Sequence, residues 1–262
     1  SDKAQTTRNR IICVYTDEEK QIVFMDTPGV HKPKHKLGEF MVDAAIESLK
    51  ETEAVLFVVA GNEKRGPGDN FIIEQLKRVK VPVFLVVNKI DTLQKEQVLE
   101  AIVSYQDAYP FAGVIPISAK NKENLSELLN VLGEHLPEGP QYFPEDMITD
   151  QPERLIISDI VREKILLSTR DEIPHAIAVD VDEMKTRDDG TTYIRATIYC
   201  ERDSQKGIII GNKGALLRKI GAEARMDIQK LLATKVYLDL WVKVKKDWRN
   251  KSGMLSELGY KK

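Results

Sequence analysis

Short apolar runs alternate with stretches of helical periodicity through the first 140 residues. Three runs are continuously apolar, as is typical of strands buried on both faces of a sheet: AVLFVVA (54–60), VPVFLVV (81–87) and GVIPIS (113–118). RIICVYT (10–16) and QIVFMD (21–26) flank a turn-like DEEK and predict a hairpin. Helical spacing predicts helices over 37–51, 69–79, 94–108 and 123–136, the second of them capped by Asp69 or Asn70. This order predicts an α/β domain whose mostly parallel sheet is covered on both faces.

The pattern changes at PEGPQYFPEDMITDQP (137–152), which holds four prolines and little apolar periodicity. Beyond it we predict a helix (153–169), a hairpin of alternating strands (175–184 and 191–201), a helix broken by glycines (205–232) and a last strand (235–246). The chain therefore divides into an α/β domain (1–140), a linker or docked connector (141–152) and a smaller α+β domain (153–262).

Composition narrows the class of protein without deciding it. Hydrophobic residues make up 42% and charged residues 31%, and no apolar run is long enough to span a bilayer. Cys13 and Cys200 have no metal-binding spacing and fit a reducing cytosol. Residues 1–150 carry a net charge of −7, whereas 202–262 hold 15 basic and 6 acidic residues, a net charge of +9. Such a tail fits a face for a polyanion, and it also fits a solvated lysine-rich surface.

The run QIVFMD ends abruptly in a polar turn. Its last residue and the next three are Asp26, Thr27, Pro28 and Gly29. A carboxylate at the tip of a buried strand, followed by a glycine turn, is a common way to hold a metal–phosphate group. Such sites normally also have a glycine-rich phosphate loop, GxxxxGK[ST], and that pattern does not occur in these 262 residues.

A second polar segment, NKID, directly follows the run 81–87. Its residues are Asn88, Lys89, Ile90 and Asp91. The carboxyl end of a parallel strand is where ligands bind in open α/β sheets. An aspartate there accepts from both the ring N–H and the exocyclic amine of guanine, whereas adenine leaves it unpaired. The Lys89 stem can cover the base, and Asn88 can tie neighbouring loops together.

A third segment follows the run 113–118 and includes Ser118, Ala119 and Lys120. These residues can offer a backbone N–H to the guanine carbonyl and cover the other face of the base. Each motif alone also fits a plain turn or helix cap. Three motifs in this order, each at the end of a strand, favour a guanine-nucleotide site.

Together the motifs resemble the translation-factor-related GTPases. The resemblance implies GTP/GDP and Mg²⁺ as ligands, with DKAQTTRNR (2–10) as the first switch and Thr7, or alternatively Thr6, closing onto the magnesium. It implies that Asp26 holds Mg²⁺ through water and that the Gly29 N–H meets the terminal phosphate. In that class the phosphate loop precedes the first switch, so we expect it upstream of Ser1. Val30 stands where many members carry a water-orienting glutamine, which implies slow intrinsic hydrolysis.

His31 and His35 lie four residues apart in HKPKH, a spacing that suits a metal pair on a helix. Pro33 argues against a helix there, and the neighbouring lysines argue against a bound cation. We therefore expect no metal at this pair.

The basic tail contains three isoleucines, Ile208, Ile209 and Ile210, that run into Gly211-Asn212-Lys213-Gly214, and we expect them to form the floor of a groove for unstacked bases. Two glycines let the backbone turn between helices and approach a phosphate chain closely, which is how the GxxG loop of a KH domain clamps single strands. A plain turn between helices is the other interpretation, but the element order and the charge favour KH. The candidate RNA-binding residues are Arg202, Lys206, Gly207, Ile208, Ile209, Ile210, Gly211, Asn212, Lys213, Gly214, Arg218 and Lys219.

A GTPase domain followed by a type II KH domain resembles the Era family of bacterial ribosome-assembly GTPases, as do DTPGVHKPKH, ERDSQKGIIIGNKG and LWVKVKKDWRN. The resemblance implies binding to the 3′ end of small-subunit ribosomal RNA and maturation of the 30S subunit. It also implies a cytoplasmic monomer and, in some members, peripheral association with the inner face of the cell membrane. Asn212 departs from the family, which usually has a basic residue there.

Two other classes of protein fit parts of the sequence. One is an RNA-binding protein whose first domain is an inactive scaffold, which tight GTP binding would exclude. The other is a GTPase that modifies transfer RNA, which would need a catalytic cysteine or a cofactor domain. Neither Cys13 nor Cys200 lies in such a context.

Overall fold

The computed structural model describes residues 7–29, 33, 35–169 and 173–260. These residues group into two compact units. The front unit contains 10–32 and 41–149, and the rear unit contains 1–9, 33–40 and 150–262, in each case the described residues among them. Residues 7–9, 33 and 35–40 therefore group with the second half of the chain, although the sequence places them in the first domain.

The front unit is an α/β layer structure. Its elements are β1 (Ile11–Thr16), β2 (Gln21–Asp26), α1 (Lys36–Ser48, whose first residues belong to the rear unit), β3 (Val55–Ala60), α2 (Pro67–Leu76), β4 (Val83–Asn88), α3 (Lys95–Gln106), β5 (Gly113–Pro116) and α4 (Leu125–Gly133). Strands β3, β4 and β5 form a parallel sheet in that order, and β1 pairs with β2 in an antiparallel hairpin. The predicted fold class is confirmed.

Strand β4 is central and is buried on both faces. Val83, Leu85 and Val87 pack in one cluster with buried residues of α2 and α3. The alternate residues Phe84 and Val86 pack in another cluster with α4. This is why the run is continuously apolar, since neither face of the strand meets water. A cavity of about 820 Å³ lies beside β2 and β3 and is lined in part by Ile22, Phe24 and Leu56.

Helix α2 begins earlier than the sequence predicts. Its first residue is Pro67, and the cap is Gly66 rather than Asp69 or Asn70. Proline suits the first helical position because its missing N–H has no partner there in any case. Asp69 lies in the first turn, and its Oδ2 accepts a hydrogen bond from the Gly66 N–H at 2.7 Å.

The proline-rich segment is docked on the hairpin. Gln21 Oε1 accepts from the backbone N–H groups of Tyr142 and Phe143 at 3.0 and 2.9 Å. The Thr149 hydroxyl donates to the Ile12 carbonyl at 2.7 Å, and the Val14 N–H donates to the Ile148 carbonyl at 2.8 Å. Of the two expectations for this segment, the docked connector describes residues 142–149.

The rear unit is an α+β structure. Its elements are the start of α1, α5 (Glu153–Ser168), α6 (Ile173–Ala176), β6 (Ala178–Thr186), β7 (Thr192–Cys200), α7 (Asp203–Ile210), α8 (Ala215–Leu232), β8 (Val236–Val244) and α9 (Ser252–Glu257). The sheet order is β6-β7-β8, with β6 antiparallel and β8 parallel to β7. Helices α5, α7 and α8 share one apolar core with the inner face of this sheet. The predicted strand from 175 begins only at Ala178, because α6 occupies the preceding residues.

Arg8 is buried in the rear unit, although it precedes β1 in the sequence. Its guanidinium donates to the Ile177 carbonyl at 2.6 Å and lies 5.9 Å from the ring centroid of Trp248. Burial lowers the pKa of Arg8 from its ordinary value, and Tyr260 opposes that shift. Trp248 is itself fully buried and donates from Nε1 to the Ala176 carbonyl at 2.9 Å. In the described part of the chain, no helix has both the length and the apolar character needed to cross a bilayer.

Candidate nucleotide and RNA sites

Asn88 joins three segments at the carboxyl end of β4. Its Oδ1 accepts from the Lys89 N–H at 2.7 Å and from the Ala119 N–H at 3.1 Å. Its carbonyl oxygen accepts from the Gly61 N–H at 2.8 Å, at the end of β3. The loops after three neighbouring strands are therefore held together by one residue, as the sequence leads us to expect.

Lys89 adopts a left-handed backbone conformation, with φ 68° and ψ 30°. This conformation costs a non-glycine residue roughly 1–2 kcal/mol and is held here by its surroundings. The Lys89 carbonyl accepts from the Thr92 hydroxyl at 2.8 Å, and Nζ lies 4.0 Å from Glu63 Oε1. The strain lies at the residue whose stem is predicted to cover the base.

Ser118 fixes the carboxylate of Asp91. The Ser118 side chain is fully buried and its Oγ donates to Asp91 Oδ1 at 2.7 Å, while the same Oγ accepts from the Asn121 N–H at 3.1 Å. Asp91 itself is exposed. A carboxylate has about four acceptor sites, so one bond to Ser118 leaves capacity for the two donors of guanine.

The loop after β5 is closed by backbone bonds. Ser118 and Glu123 exchange two hydrogen bonds, of 3.2 and 3.0 Å. Ala119 and Lys120 lie exposed in this loop. Because the Ala119 N–H already donates to Asn88, a guanine carbonyl must share that N–H or be met by the N–H of Lys120.

The predicted phosphate side is described only in part. Asp26 ends β2 and is exposed, Thr27 is half-buried, Pro28 is buried and Gly29 is exposed. Thr7 is half-buried and groups with the rear unit. Val30, Thr6 and His31 lie outside the described residues.

The donor set suits magnesium rather than a fully protein-bound metal. Among the described residues there is no group of three or more His, Cys, Asp or Glu side chains that could hold a metal ion. Mg²⁺ usually keeps several waters and binds through one or two carboxylates together with substrate phosphates. One exposed carboxylate at Asp26 fits that pattern. His35, the described member of the histidine pair, uses Nδ1 to accept from the Gly38 N–H at 3.0 Å, so it caps α1.

The sequence did not point to two residues, Gly61 and Asn124, that shape the part of the site predicted to bind guanine. A Cβ on Gly61 would lie 2.9 Å from Val87 Cγ1 and 3.0 Å from Leu93 Cδ1, so only glycine fits where β3 passes the NKID loop. Asn124 has φ 57° and donates from Nδ2 to the Pro116 carbonyl at 2.8 Å. A glycine directly after a buried strand was the available signal for the first. An asparagine before an apolar helix was the signal for the second.

The GxxG segment forms the predicted turn between α7 and α8. Gly211 has φ 72°, and a Cβ there would lie 2.8 Å from Leu216 Cβ. Gly214 has φ 77° and is less crowded, since a Cβ there would lie 3.6 Å from the Arg218 guanidinium. Asn212 and Lys213 are exposed at the tip. The two glycines thus let the backbone turn tightly while two polar side chains face solvent.

The three isoleucines before the loop have different environments. They form the last turn of α7, and Ile209 is fully buried in the core of the rear unit. Its side chain therefore does not reach a surface groove, contrary to the expectation that all three form a floor. Ile208 is 51% exposed and Ile210 is half-buried. Helical periodicity explains the split, because neighbouring residues on a helix point to different faces.

The basic candidates lie around this loop. Arg202 caps α7, and its N–H donates to Gln205 Oε1 at 3.1 Å. Lys206 is half-buried on α7, and Gly207 is exposed one residue further along. Arg218 and Lys219 are exposed on α8, where Lys219 Nζ lies 3.9 Å from Glu223. The structure thus places these candidates on the two helices that carry the GxxG loop.

The two sites define a class of protein, a GTP-binding domain joined to a KH domain. Residues 2–138 match the Elongation factor Tu GTP binding domain family, and residues 172–249 match the KH domain family. A structure of an Aquifex aeolicus Era variant bound to GDP·AlF4⁻ is 41% identical, with a TM-score of 0.94. A structure of Era with MgGDPNP and nucleotides 1506–1542 of 16S ribosomal RNA is 41% identical, with a TM-score of 0.95. Each match covers 99% of this chain and 89% of the solved one. The chain belongs to the Era family of GTPases.

Proposed function

We propose that residues 1–140 bind GTP and GDP with Mg²⁺ and hydrolyse GTP to GDP and phosphate. The observation that carries the proposal is the network in which Ser118 holds Asp91 while Asn88 joins the loops around it. Asp91 selects guanine, and Lys89 and Ile90 hold the NKID turn against the base. Ser118, Ala119 and Lys120 cover its other side. Solved Era structures with GDP·AlF4⁻ and with MgGDPNP support the ligands.

On the phosphate side we assign roles by the family pattern. By that pattern Asp26 would hold Mg²⁺ through water and Thr7 would close onto it, and the bound ion would neutralise phosphate charge. The Gly29 N–H would meet the terminal phosphate, Thr27 and Pro28 would bind beside it, and Val30 is assigned to the nucleotide by the resemblance alone. Valine cannot orient a water, so intrinsic hydrolysis should be slow.

Asp91→Asn tests the nucleotide assignment in the full-length protein. The substitution swaps an acceptor for a donor, so preference should move from GTP toward xanthosine triphosphate. Removing one hydrogen bond to a charged group costs about 1.5–3 kcal/mol, which is roughly 10- to 140-fold in affinity. Asp107→Asn, an exposed residue just after α3, is the matched control. Unchanged GTP affinity in the Asp91 variant would refute the assignment, and failure of the parent to bind GTP would favour the inactive-scaffold class.

We further propose that residues 153–262 bind the 3′ end of 16S ribosomal RNA through the GxxG loop. Three observations support this: the exposed loop between two glycines at positive φ, the net charge of +9 over 202–262, and the solved Era complex with that RNA. From the family resemblance alone we also propose that the chain is a monomer, binds the 30S subunit and assists its maturation. Cytoplasmic location, with peripheral association at the inner face of the cell membrane, comes from the resemblance alone and is tested by cell fractionation.

A further inference from the structure

The outer face of the rear sheet, opposite the helices, carries exposed aromatic rings. Side chains alternate between the two faces of a strand, so odd-numbered residues of β8 point outward while Val236 and Val242 enter the core. Tyr237 is 53% and Trp241 is 54% exposed. Neighbouring large rings left this open are uncommon on a surface with no partner.

Polar bonds hold these rings in place. Trp241 Nε1 donates to Asp239 Oδ2 at 3.0 Å, and the Tyr193 hydroxyl donates to the same oxygen at 3.2 Å. Tyr193 lies directly opposite Tyr237 on the neighbouring strand, with ring centroids 5.9 Å apart and planes 17° apart. Rings that are already fixed lose little conformational entropy when a ligand stacks on them.

Cations surround the same rings. Arg187, in the turn after β6, lies 4.9 Å from the centroids of both tyrosines, and Lys185 Nζ lies 5.5 Å from that of Tyr193. Glu183 is already paired, with Lys185 at 2.9 Å and with Arg195 at 3.4 Å. Exposed lysines also occupy outward positions of β8 and its ends, namely Lys235, Lys243 and Lys245.

We propose that this platform, formed by Tyr193, Tyr237, Trp241 and Arg187, is a second contact for single-stranded RNA. Aromatic rings that stack on bases, set among cations that meet phosphates, are the chemistry by which proteins hold single strands. The rings are separated by charged Asp239, which is unlike the continuous apolar core of a protein interface. The proposal rests on the proposed RNA-binding function and extends it to a surface outside the GxxG loop.

The geometry gives the platform a length and a place. Tyr237 and Trp241 are four residues apart on β8, roughly 13 Å at about 3.3 Å per residue. Within the described sheet, β8 is an edge strand, and the helices that carry the GxxG loop pack against its inner face. An RNA that leaves the loop can therefore cross the β8 edge and lie along the outer face.

The test compares two RNAs on full-length protein. One is a short single strand of about four to six nucleotides, enough for a KH clamp on about four. The other is the whole 1506–1542 segment of 16S ribosomal RNA. Trp241→Ala should lower the affinity for the long RNA by about 5- to 140-fold, because stacking of one base contributes about 1–3 kcal/mol. The affinity for the short RNA should not change. Trp241→Phe should restore most of the affinity, and Tyr142→Ala, which removes another exposed aromatic ring, is the matched control.

Tryptophan fluorescence gives a second readout. The chain has two tryptophans, and Trp248 is fully buried. Quenching on addition of the long RNA should therefore come from Trp241 and disappear in Trp241→Phe.

Three outcomes oppose the proposal in distinguishable ways. Unchanged affinity of Trp241→Ala for the long RNA would overturn it and leave the face to a protein partner or to solvent. An equal weakening of binding for both RNAs would show that the substitution acts through the fold or through the GxxG loop, and would overturn the proposal as well. A parent protein that binds neither RNA would remove the proposed RNA-binding function itself.

Discussion

Ser118 holds Asp91 through a 2.7 Å hydrogen bond between Oγ and Oδ1, so a fully buried hydroxyl orients an exposed carboxylate. Ser118→Ala removes that bond and lets Asp91 rotate away from the base. We expect GTP affinity of the full-length protein to fall about tenfold, near 1.4 kcal/mol, with Asp91 still present. Isothermal titration with GTP measures the change.

Ser104→Ala is the matched control for that experiment. Ser104 is exposed on α3 and its hydroxyl donates to the Ala101 carbonyl, so its removal should leave GTP affinity unaltered. If Ser118→Ala and Ser104→Ala bind GTP with equal affinity, Ser118 does not position Asp91 for the nucleotide.

Arg8 should stabilise the rear unit even though it precedes β1. Arg8→Met keeps an apolar stem near Trp248 but removes the donor to the fully buried Ile177 carbonyl. An unsatisfied buried acceptor costs about 1–3 kcal/mol. Both tryptophans lie in the rear unit, so denaturant unfolding followed by tryptophan fluorescence reports that unit alone.

Arg10→Met is the comparison for Arg8. The Arg10 guanidinium forms an exposed ion pair with Glu51 at 2.7 Å, and such pairs contribute about 0–1 kcal/mol. If both variants unfold at the same denaturant concentration as the parent, Arg8 does not stabilise the rear unit.

His35 should make the rear unit less stable in mild acid. Burial lowers the pKa of His35 below its ordinary value, and the charges of Arg249 and Arg8 add to the shift while Glu201 opposes it. The neutral ring is the form that accepts from the Gly38 N–H. Because the unfolded chain takes up the proton more readily, stability should be full above the ordinary pKa of about 6.5 and should fall as pH drops through it.

His35→Asn separates capping from titration. Asparagine can cap a helix but does not ionise. Unfolding measured at about pH 7.5 and about pH 5.5 should show a smaller decrease in stability in this variant than in the parent. The same decrease in both proteins would assign the pH dependence to other groups.

Much of the fold follows from the sequence, for reasons visible in single elements. Strand β4 is apolar at every position because both of its faces are covered, so its prediction needs no tertiary information. The guanine motifs are visible because each polar set directly follows an apolar run. The burial of Ser118 is not visible in this way, since it depends on the closed loop to Glu123.

Other features depend on partners far along the chain. Arg8 lies in a polar segment, and only Ile177 and Trp248, more than 160 residues away in sequence, make it a buried residue. Ile209 differs from Ile208 only through the helical turn that directs it into the core. The predicted cap of α2 at Asp69 or Asn70 is wrong because Pro67 starts the helix earlier than apolar periodicity indicates.

The choice of variant matters for the RNA site. Gly211 has a positive φ, and a side chain there would clash with Leu216. Weaker RNA binding by a Gly211 variant would therefore not distinguish a charge effect from a folding defect. Lys213 is exposed and has φ 48°, a conformation that aspartate tolerates. Lys213→Asp therefore changes charge at the loop tip with little strain. Lys80→Asp makes the same charge change at an exposed residue of the front unit and is the control.

We propose that this chain joins a guanine-nucleotide site to a clamp for single-stranded ribosomal RNA. The RNA affinity of the Lys213 variant, measured as a function of salt concentration, tests this pairing. Full-length parent, Lys213→Asp and Lys80→Asp are titrated with a single-stranded fragment from the 3′ end of 16S ribosomal RNA at several salt concentrations. The parent and the Lys80 variant should bind alike. Lys213→Asp should bind more weakly, with the slope of log affinity against log salt reduced by about 0.7 for each phosphate that it no longer neutralises, while its GTP affinity is unchanged. If the folded Lys213→Asp protein binds the fragment as tightly as the parent at every salt concentration, the GxxG loop is only a turn and does not clamp RNA.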